Sequence, residues 1–177
     1  MTVYEATAKK DFRKLAEFAV KQDVGNLTLK SWRNMFPEAQ ANAIEFVKQQ
    51  KPQLDIWVVE DNTGTVRLAL SIEKRGPDFN AKEVKLLTHA ALVVDDKDYE
   101  EDNTQFYEEL HHHLFKVYPP EGYLEGRFWG NQKIVEWTKK FFGENMKVLR
   151  EAETAEFGKV YFYSISFAEE PKWQPPS

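Results

Sequence analysis

The spacing of hydrophobic positions along the chain predicts alternating helices and strands. Apolar residues that recur every three or four positions predict helices over residues 11–22 and 38–50, the second opened by Pro37. The same spacing predicts a helix over 104–118, ended by the prolines that follow it, and another over 132–142. Runs rich in β-branched and aromatic residues predict strands over 2–6, 54–60, 66–73, 85–94, 123–129, 147–152 and 159–167.

The resulting order of elements is β-α-α-β-β-β-α-β-α-β-β. Strands joined by a short turn, such as the pair that flanks Asp61–Gly64, should be antiparallel neighbours. Strands joined through a helix should be parallel. The sequence therefore predicts an α/β (α+β) fold with a central mixed sheet and helices on both faces. Residues 1–168 are expected to form one domain, followed by a proline-rich tail over 169–177.

Composition and charge exclude several classes of function. The chain has 177 residues, a formal net charge of -5 and no cysteine. We expect no nucleic-acid partner, because such binding needs a basic surface. Disulfides, thiolate metal sites and a cysteine nucleophile are excluded. The start of the chain does not resemble a signal peptide, and no apolar run is long enough to cross a bilayer, so we expect a cytoplasmic protein without a membrane segment.

Three consecutive histidines lie on the predicted helix over 104–118. Adjacent helical residues point about 100° apart, so His111, His112 and His113 cannot converge on one metal ion. The apolar stripe of this helix is Phe106, Leu110, Leu114 and Val117. That stripe places His113 at the edge of the core and the other two histidines toward solvent. No metal site is expected here.

An acidic segment follows the predicted strand over 85–94. Residues 95–103 contain six carboxylates, one lysine and no glycine. The spacing of Asp102 and Gln105 is that of a capping box, in which a helix start is satisfied by its own side chains. The alternating acids also resemble a calcium loop, but the central glycine and the final glutamate are missing. The sequence leaves open whether this segment binds a divalent cation.

The order of elements resembles the GNAT superfamily of acyl-CoA N-acyltransferases over nearly the whole chain. The resemblance implies that the fourth strand splays from the fifth and that the acyl arm of the donor lies in the gap. It also implies a loop of pattern Gln/Arg-x-x-Gly-x-Gly/Ala, whose backbone N–H groups hold the pyrophosphate at a helix start. Here the glycine-free segment over 95–103 stands at that position. On the family pattern, Val93, Val94 and Asn131 would line the donor cleft.

A second family signature, Asn-x-x-Ala-x-x-x-Tyr-x-x-x-Gly-Phe, is matched only at its start. Asn131 fits, but Ile134 stands at the alanine position and Thr138 at the tyrosine position. The family tyrosine commonly protonates the departing thiolate, and a threonine hydroxyl is a much weaker acid. The usual catalytic acid is therefore missing. The candidate for a catalytic base is His89, which is near the strand position from which GNAT enzymes often recruit one.

The last third of the chain looks like the end of GNAT-like internal virion proteins of short-tailed phages. This likeness extends from Gly130 to Ile165 and implies a virion-associated location. The sequence of the tail over 169–177 predicts neither a helix nor a strand. We expect Trp173 in this tail to contact a protein partner.

Three hypotheses follow. The first is a GNAT-fold protein that has lost acetyl-CoA-dependent acyl transfer, needs no cofactor and acts as a structural or binding component. The second is an active N-acetyltransferase that uses acetyl-CoA on a cationic amine. The third is an inhibitor of a host protein that acts through the acidic segment. The residues expected to contact a partner are Asp95, Asp96, Asp98, Glu100, Glu101 and Trp173.

Overall fold

The structure is a computed structural model that describes residues 1–21, 37–75, 85–94, 104–118, 120, 122–129, 139–140, 142–155 and 158–170. The elements are β1 (Thr2–Glu5), α1 (Lys9–Lys21), α2 (Pro37–Gln50), β2 (Leu54–Glu60), β3 (Val66–Arg75), β4 (Lys85–Val94), α3 (Thr104–Val117), β5 (Tyr123–Trp129), β6 (Met146–Thr154) and β7 (Gly158–Ser166). The mixed α/β class is confirmed. The predicted helix over 132–142 lies mostly outside the described residues.

The chain contacts divide into two compact units. The first comprises Met1–Glu73 with Ala90–Leu110, and the second comprises Lys74–His89 with His111–Ser177. The expectation of one domain over 1–168 stays a prediction. In the part of the chain that the structure describes, no helix combines the length and apolar character needed to cross a membrane.

The first unit is built on three antiparallel strands. β2 pairs with β1 on one side and with β3 on the other. Alternate residues of β2, such as Ile56 and Val58, face α1 and α2 and share a core cluster with Phe12 and Ala16. The intervening residues, including Trp57, are also buried. Because both faces of β2 are buried, its sequence is almost continuously apolar.

Helix α3 begins over this first unit. Phe106 is 6% exposed, and the guanidinium of Arg67 on β3 lies 5.2 Å from the centre of its ring. Leu110, one turn further along the helix, is fully buried. The start of α3 is thus fixed to the sheet by a cation–π contact and by apolar burial.

The start of α1 is capped by an acid of its own first turn. The sequence places Thr7, a residue type that is common at helix N-caps, just before the helix. In the structure, one carboxylate oxygen of Asp11, in the first turn, accepts the backbone N–H groups of Thr7 at 3.1 Å and Ala8 at 2.9 Å. This is the half of a capping box in which the third helical residue reaches back to the helix start.

The apolar spacing of α2, at Ala41, Ile44 and Val47, predicts a buried face that the structure only partly shows. Gln40 and Ala41 are buried and Ile44 packs against the core, but Val47 is 38% exposed. Lys48 faces the core instead, and its ammonium group contacts Glu5 and the carbonyl of Leu54. The aliphatic part of a lysine side chain can cover the core while its charge is paired. A prediction from the spacing of apolar residues does not count lysine among them.

The second unit contains a mixed sheet. β4 and β5 are parallel, whereas β7 lies antiparallel between β5 and β6. Tyr161, Tyr163 and Ile165 on β7 are buried along one face. β4 and β5, which are joined through a helix, are parallel as predicted, but β1 and β2, which are also joined through helices, are antiparallel.

Candidate functional site

The parallel pairing of β4 and β5 is short. Within the described backbone it covers Lys85–Leu87 opposite Tyr123–Glu125. β5 nevertheless continues to Trp129, and β4 continues through His89. A pair of parallel strands that stop pairing part way is what the GNAT resemblance predicts for the fourth and fifth strands.

The candidate cleft residues of β4 are placed by their backbone. His89 lies two residues after the last paired position, and Val93 and Val94 are the final residues of the strand. Their side chains lie outside the described part of the structure. The roles of His89 as a base and of the two valines in a cleft therefore stay predictions.

The acidic segment connects the end of β4 to the start of α3. β4 ends at Val94 and α3 begins at Thr104, as the sequence predicts. The segment itself lies outside the described residues, including Asp95, Asp96, Asp98, Glu100 and Glu101. The first turn of α3 contains no acid. The chain position of the segment is thus fixed, while the capping role of Asp102 stays a prediction.

The other candidate residues lie outside the described part of the chain. These are Asn131 and Thr138, from the second family signature, and Trp173 in the tail. Among the described residues there is no group of three or more histidines and carboxylates placed to hold a metal ion.

The three histidines of α3 are arranged differently from the expectation. His111 was expected to face solvent, but it is 7% exposed and its ring meets Phe142 edge to face, with centroids 4.3 Å apart. Burial, and to a smaller extent the neighbouring His112, lowers the pKa of His111 to about 3. His113, expected at the edge of the core, is partly buried. The buried histidine is therefore neutral at ordinary pH.

His111 was placed on the wrong side of α3 because of the last residue of the predicted apolar stripe. Val117 was predicted to end that stripe, but it is 47% exposed, whereas Tyr118 is 5% exposed. Seven residues correspond to nearly two full helical turns, so His111 lies on almost the same side as Tyr118. An apolar stripe that ends at Tyr118 instead of Val117 places His111 in the core.

The C-terminal end of the described chain is fastened to α3. Phe167 is 4% exposed and lies between Phe115 and Tyr118, at centroid distances of 5.0 and 5.9 Å. Glu170 pairs with the Nδ1 atom of His112, and the side chain of Asn145 donates to the carbonyl of Glu169. The sequence analysis missed these contacts, for which the apolar Phe167 after β7 was the available signal.

A small basic cleft lies in the first unit, between the starts of α1 and α2. It measures about 290 Å³ and is lined by Lys9, Lys10, Arg13, Glu38 and Ala41. None of these residues was predicted to belong to a functional site. The signal was present, since four of the six residues from Lys9 to Lys14 are cations.

Comparison with solved structures identifies the fold. A putative acetyltransferase of Acinetobacter baylyi matches with a TM-score of 0.64 at 14% identity, over 99% of this chain and 97% of its own. A GNAT-family acetyltransferase of Streptococcus pneumoniae matches with a TM-score of 0.62 at 15% identity, over 93% and 98%. A variant of a spermidine N-acetyltransferase of Vibrio cholerae matches with a TM-score of 0.59 at 11% identity, over 95% and 96%.

The chain therefore has the GNAT fold, which confirms the resemblance in its fold. No protein-family model matches the sequence, and no curated protein does either. At these identities the likeness establishes the architecture, and the activity has to be argued from the residues of this chain.

Proposed function

We propose that this chain is a GNAT-fold binding component that does not carry out acetyl-CoA-dependent acyl transfer. The observation that supports the proposal is that the acidic segment connects, along the chain, Val94 at the end of β4 to Thr104 at the start of α3. In acyltransferases of this fold, as the resemblance implies, that connection supplies glycine N–H groups to the pyrophosphate of the donor.

The chemistry of this connection opposes a pyrophosphate. It holds six carboxylates against one lysine, and it has no glycine. Each carboxylate at contact distance repels the phosphates by roughly 1 kcal/mol or more. Residues that carry a Cβ atom also keep the backbone from the close approach that glycine allows. The segment is better suited to a basic protein surface than to coenzyme A.

The proposed partner is a protein, either a virion component or a host protein. Its contacts are the acidic residues Asp95, Asp96, Asp98, Glu100 and Glu101, together with Trp173 in the tail. Carboxylates at an interface steer and orient a basic partner, and tryptophan is a common apolar anchor of such interfaces. An inhibitor of a host protein would use the same acidic surface.

Titration of acetyl-CoA into the purified protein tests the proposal. We expect neither heat in calorimetry nor a shift of the melting temperature at millimolar donor, with a GNAT acetyltransferase that binds acetyl-CoA as the positive control. Binding in the micromolar range would overturn the loss of the donor site.

Charge neutralisation tests the partner surface. A variant with Asp95 and Asp98 changed to Asn and Glu100 and Glu101 changed to Gln should lose a partner captured by the wild-type protein. The matched control changes four exposed acids elsewhere to Gln, namely Glu109, Glu144, Glu153 and Glu169. If the partner stays bound to the first variant, or leaves both variants equally, the acidic segment is not the contact.

A second candidate is an N-acetyltransferase that acts on a cationic amine. It is supported by the short pairing of β4 and β5 and by the likeness to spermidine N-acetyltransferase. In that case His89 would act as the base, and the acidic segment would attract a polyamine. Release of coenzyme A from acetyl-CoA in the presence of spermidine, abolished by His89→Gln, would favour this candidate over the first.

A further inference from the structure

The start of α1 is unusually rich in cations. Lys9, Lys10, Arg13 and Lys14 fall within six residues, whereas the whole chain has 24 Lys and Arg among 177 residues. The protein as a whole carries a formal net charge of -5. The basic cluster is thus a local feature that opposes the overall charge.

The position of the cluster is unfavourable for the helix itself. The first turn of a helix carries a partial positive charge, so cations there oppose helix formation. Asp11 is the only acid in the first turn of α1, and its carboxylate is already engaged by the backbone N–H groups of Thr7 and Ala8. Departures from a local rule of this kind are expected where residues serve a function.

The cations differ in how well they are paired. Lys14 is 2.7 Å from Glu60, whose side chain is 12% exposed, so its charge is satisfied within the fold. Arg13 lies 3.7 Å from Glu17 and 4.0 Å from Glu38, and all three side chains are more than half exposed. Lys9 and Lys10 form no ion pair with any described residue. Three cations therefore retain most of their capacity to bind an anion.

These three residues line the same cleft. Lys9, Lys10 and Arg13 line it together with Glu38 and Ala41 of α2, and its volume is about 290 Å³. Ala41, which is 3% exposed, adds an apolar surface to the cleft. A water molecule occupies ~30 Å³ in the liquid, so the cleft has room for the head of a small metabolite.

We propose that this cleft binds a small phosphorylated anion. The two lysines supply ammonium donors, and Arg13 supplies a guanidinium that can contact two phosphate oxygens at once. In the free protein, Glu38 lies 4.0 Å from Arg13, at the upper limit for an ion pair. On binding, the phosphate takes the place of Glu38 beside Arg13. This inference concerns residues remote in sequence from the acidic segment and does not rest on the proposed function.

The surroundings favour a small ligand over an extended polyanion. Glu17 and Glu38 flank Arg13 and would repel a nucleic acid or an anionic membrane laid across this surface. Among the described residues that line the cleft, Glu38 is the carboxylate that a compact phosphate group has to displace. The negative net charge of the chain also disfavours an extended polyanion.

Calorimetric titration with pyrophosphate and with inorganic phosphate tests the site. The test variant is Lys9→Gln, Lys10→Gln and Arg13→Gln together, and the control variant is Lys116→Gln, Lys139→Gln and Lys140→Gln, which removes three exposed cations elsewhere. We expect pyrophosphate to bind the wild-type protein and the control within a factor of two of each other. The test variant should bind at least tenfold more weakly.

The melting temperature without ligand shows whether the test variant is folded. Because the removed charges oppose the helix start, it should melt at the same temperature as the wild type or slightly above. Equal losses of binding in both variants, or no binding of pyrophosphate to the wild type at 10 mM, would overturn the proposal. So would tighter binding to a single-stranded oligonucleotide or to vesicles containing phosphatidylglycerol than to pyrophosphate.

Discussion

The ring of His111 on α3 meets the ring of Phe142 edge to face, with centroids 4.3 Å apart and an interplanar angle of 80°. Both residues are buried, His111 at 7% and Phe142 at 2% exposure. An imidazole in this position acts as an aromatic core residue, and it keeps that role only while it is neutral.

The first prediction concerns stability as a function of pH. The pKa of His111 is about 3 in the folded chain, against an ordinary value of 6.5. Below pH 6.5 the unfolded chain takes up a proton that the folded chain refuses, so the free energy of unfolding should decrease by about 1 kcal/mol per pH unit. Urea unfolding at pH 7, 6 and 5 should show this slope in the wild type and a smaller slope in His111→Leu.

His113→Gln provides the matched control for this slope. His113 is only partly buried, so this variant removes a histidine from the same helix and leaves the buried one in place. The pH-independent cost of each substitution does not enter the comparison. Identical slopes in the wild type and His111→Leu would show that another group controls acid sensitivity.

Much of the fold could be predicted because several element boundaries carry their own local signals. The bounds of β2, β4 and β5 coincide with the predicted ones, and Asp61–Gly64 predicted the turn that follows β2. Continuous apolar runs identify buried strands wherever turn residues flank them. The location of the acidic segment followed from these bounds.

The faces of the helices were less predictable. On α2 the inward residue was Lys48 rather than Val47, and on α3 it was Tyr118 rather than Val117. Lysine and tyrosine bury an apolar body and expose or pair a polar tip, so hydrophobic spacing ranks them too low. The basic cleft was missed for another reason, since it depends on the approach of α2 to α1.

The second prediction concerns the end of the chain beyond β7. Phe167 is 4% exposed and packs against Phe115 and Tyr118. Phe167→Ala should lower the free energy of unfolding by about 3–5 kcal/mol, because it leaves a cavity between two aromatic rings. Urea unfolding measures the change.

Phe46→Ala is the control for this substitution. Phe46 is 60% exposed on α2, so its truncation should cost no more than about 0.5 kcal/mol. Glu170→Gln, which removes the exposed partner of His112, should cost less than about 1 kcal/mol. A loss at Phe167 no larger than at Phe46 would mean that this end of the chain is not part of the core.

The third prediction concerns the turn between β2 and β3. Gly64 has a φ of 79°, and a Cβ atom added there would meet nothing within 4 Å. Gly64→Ala should therefore cost about 1–2 kcal/mol through backbone strain alone. Gly64→Asn should cost less, because asparagine tolerates this conformation. Equal costs in urea unfolding would point to a cause other than backbone conformation.

The fourth prediction concerns Glu60, which joins α1 to the sheet. One carboxylate oxygen of Glu60 accepts the hydroxyl of Tyr4 at 2.6 Å and the ammonium of Lys14 at 2.7 Å. Burial alone would raise the pKa of Glu60, but the hydrogen bonds from Lys14 and Tyr4 outweigh it and lower the pKa below 4.5. The charged carboxylate therefore stabilises the fold above pH 4.5, and this contribution is lost as the pH falls through the folded pKa.

Glu60→Gln should destabilise the protein by about 1–2 kcal/mol at pH 7, because it removes a charge-assisted acceptor from two donors. The difference from the wild type should narrow as the pH falls below 4.5, where the wild-type carboxylate also becomes neutral. Glu45→Gln removes a carboxylate that is only partly buried and serves as the control. A difference between Glu60→Gln and wild type that stays constant from pH 7 to pH 3 would show that the charge of Glu60 contributes nothing, and that only the shape of the side chain matters.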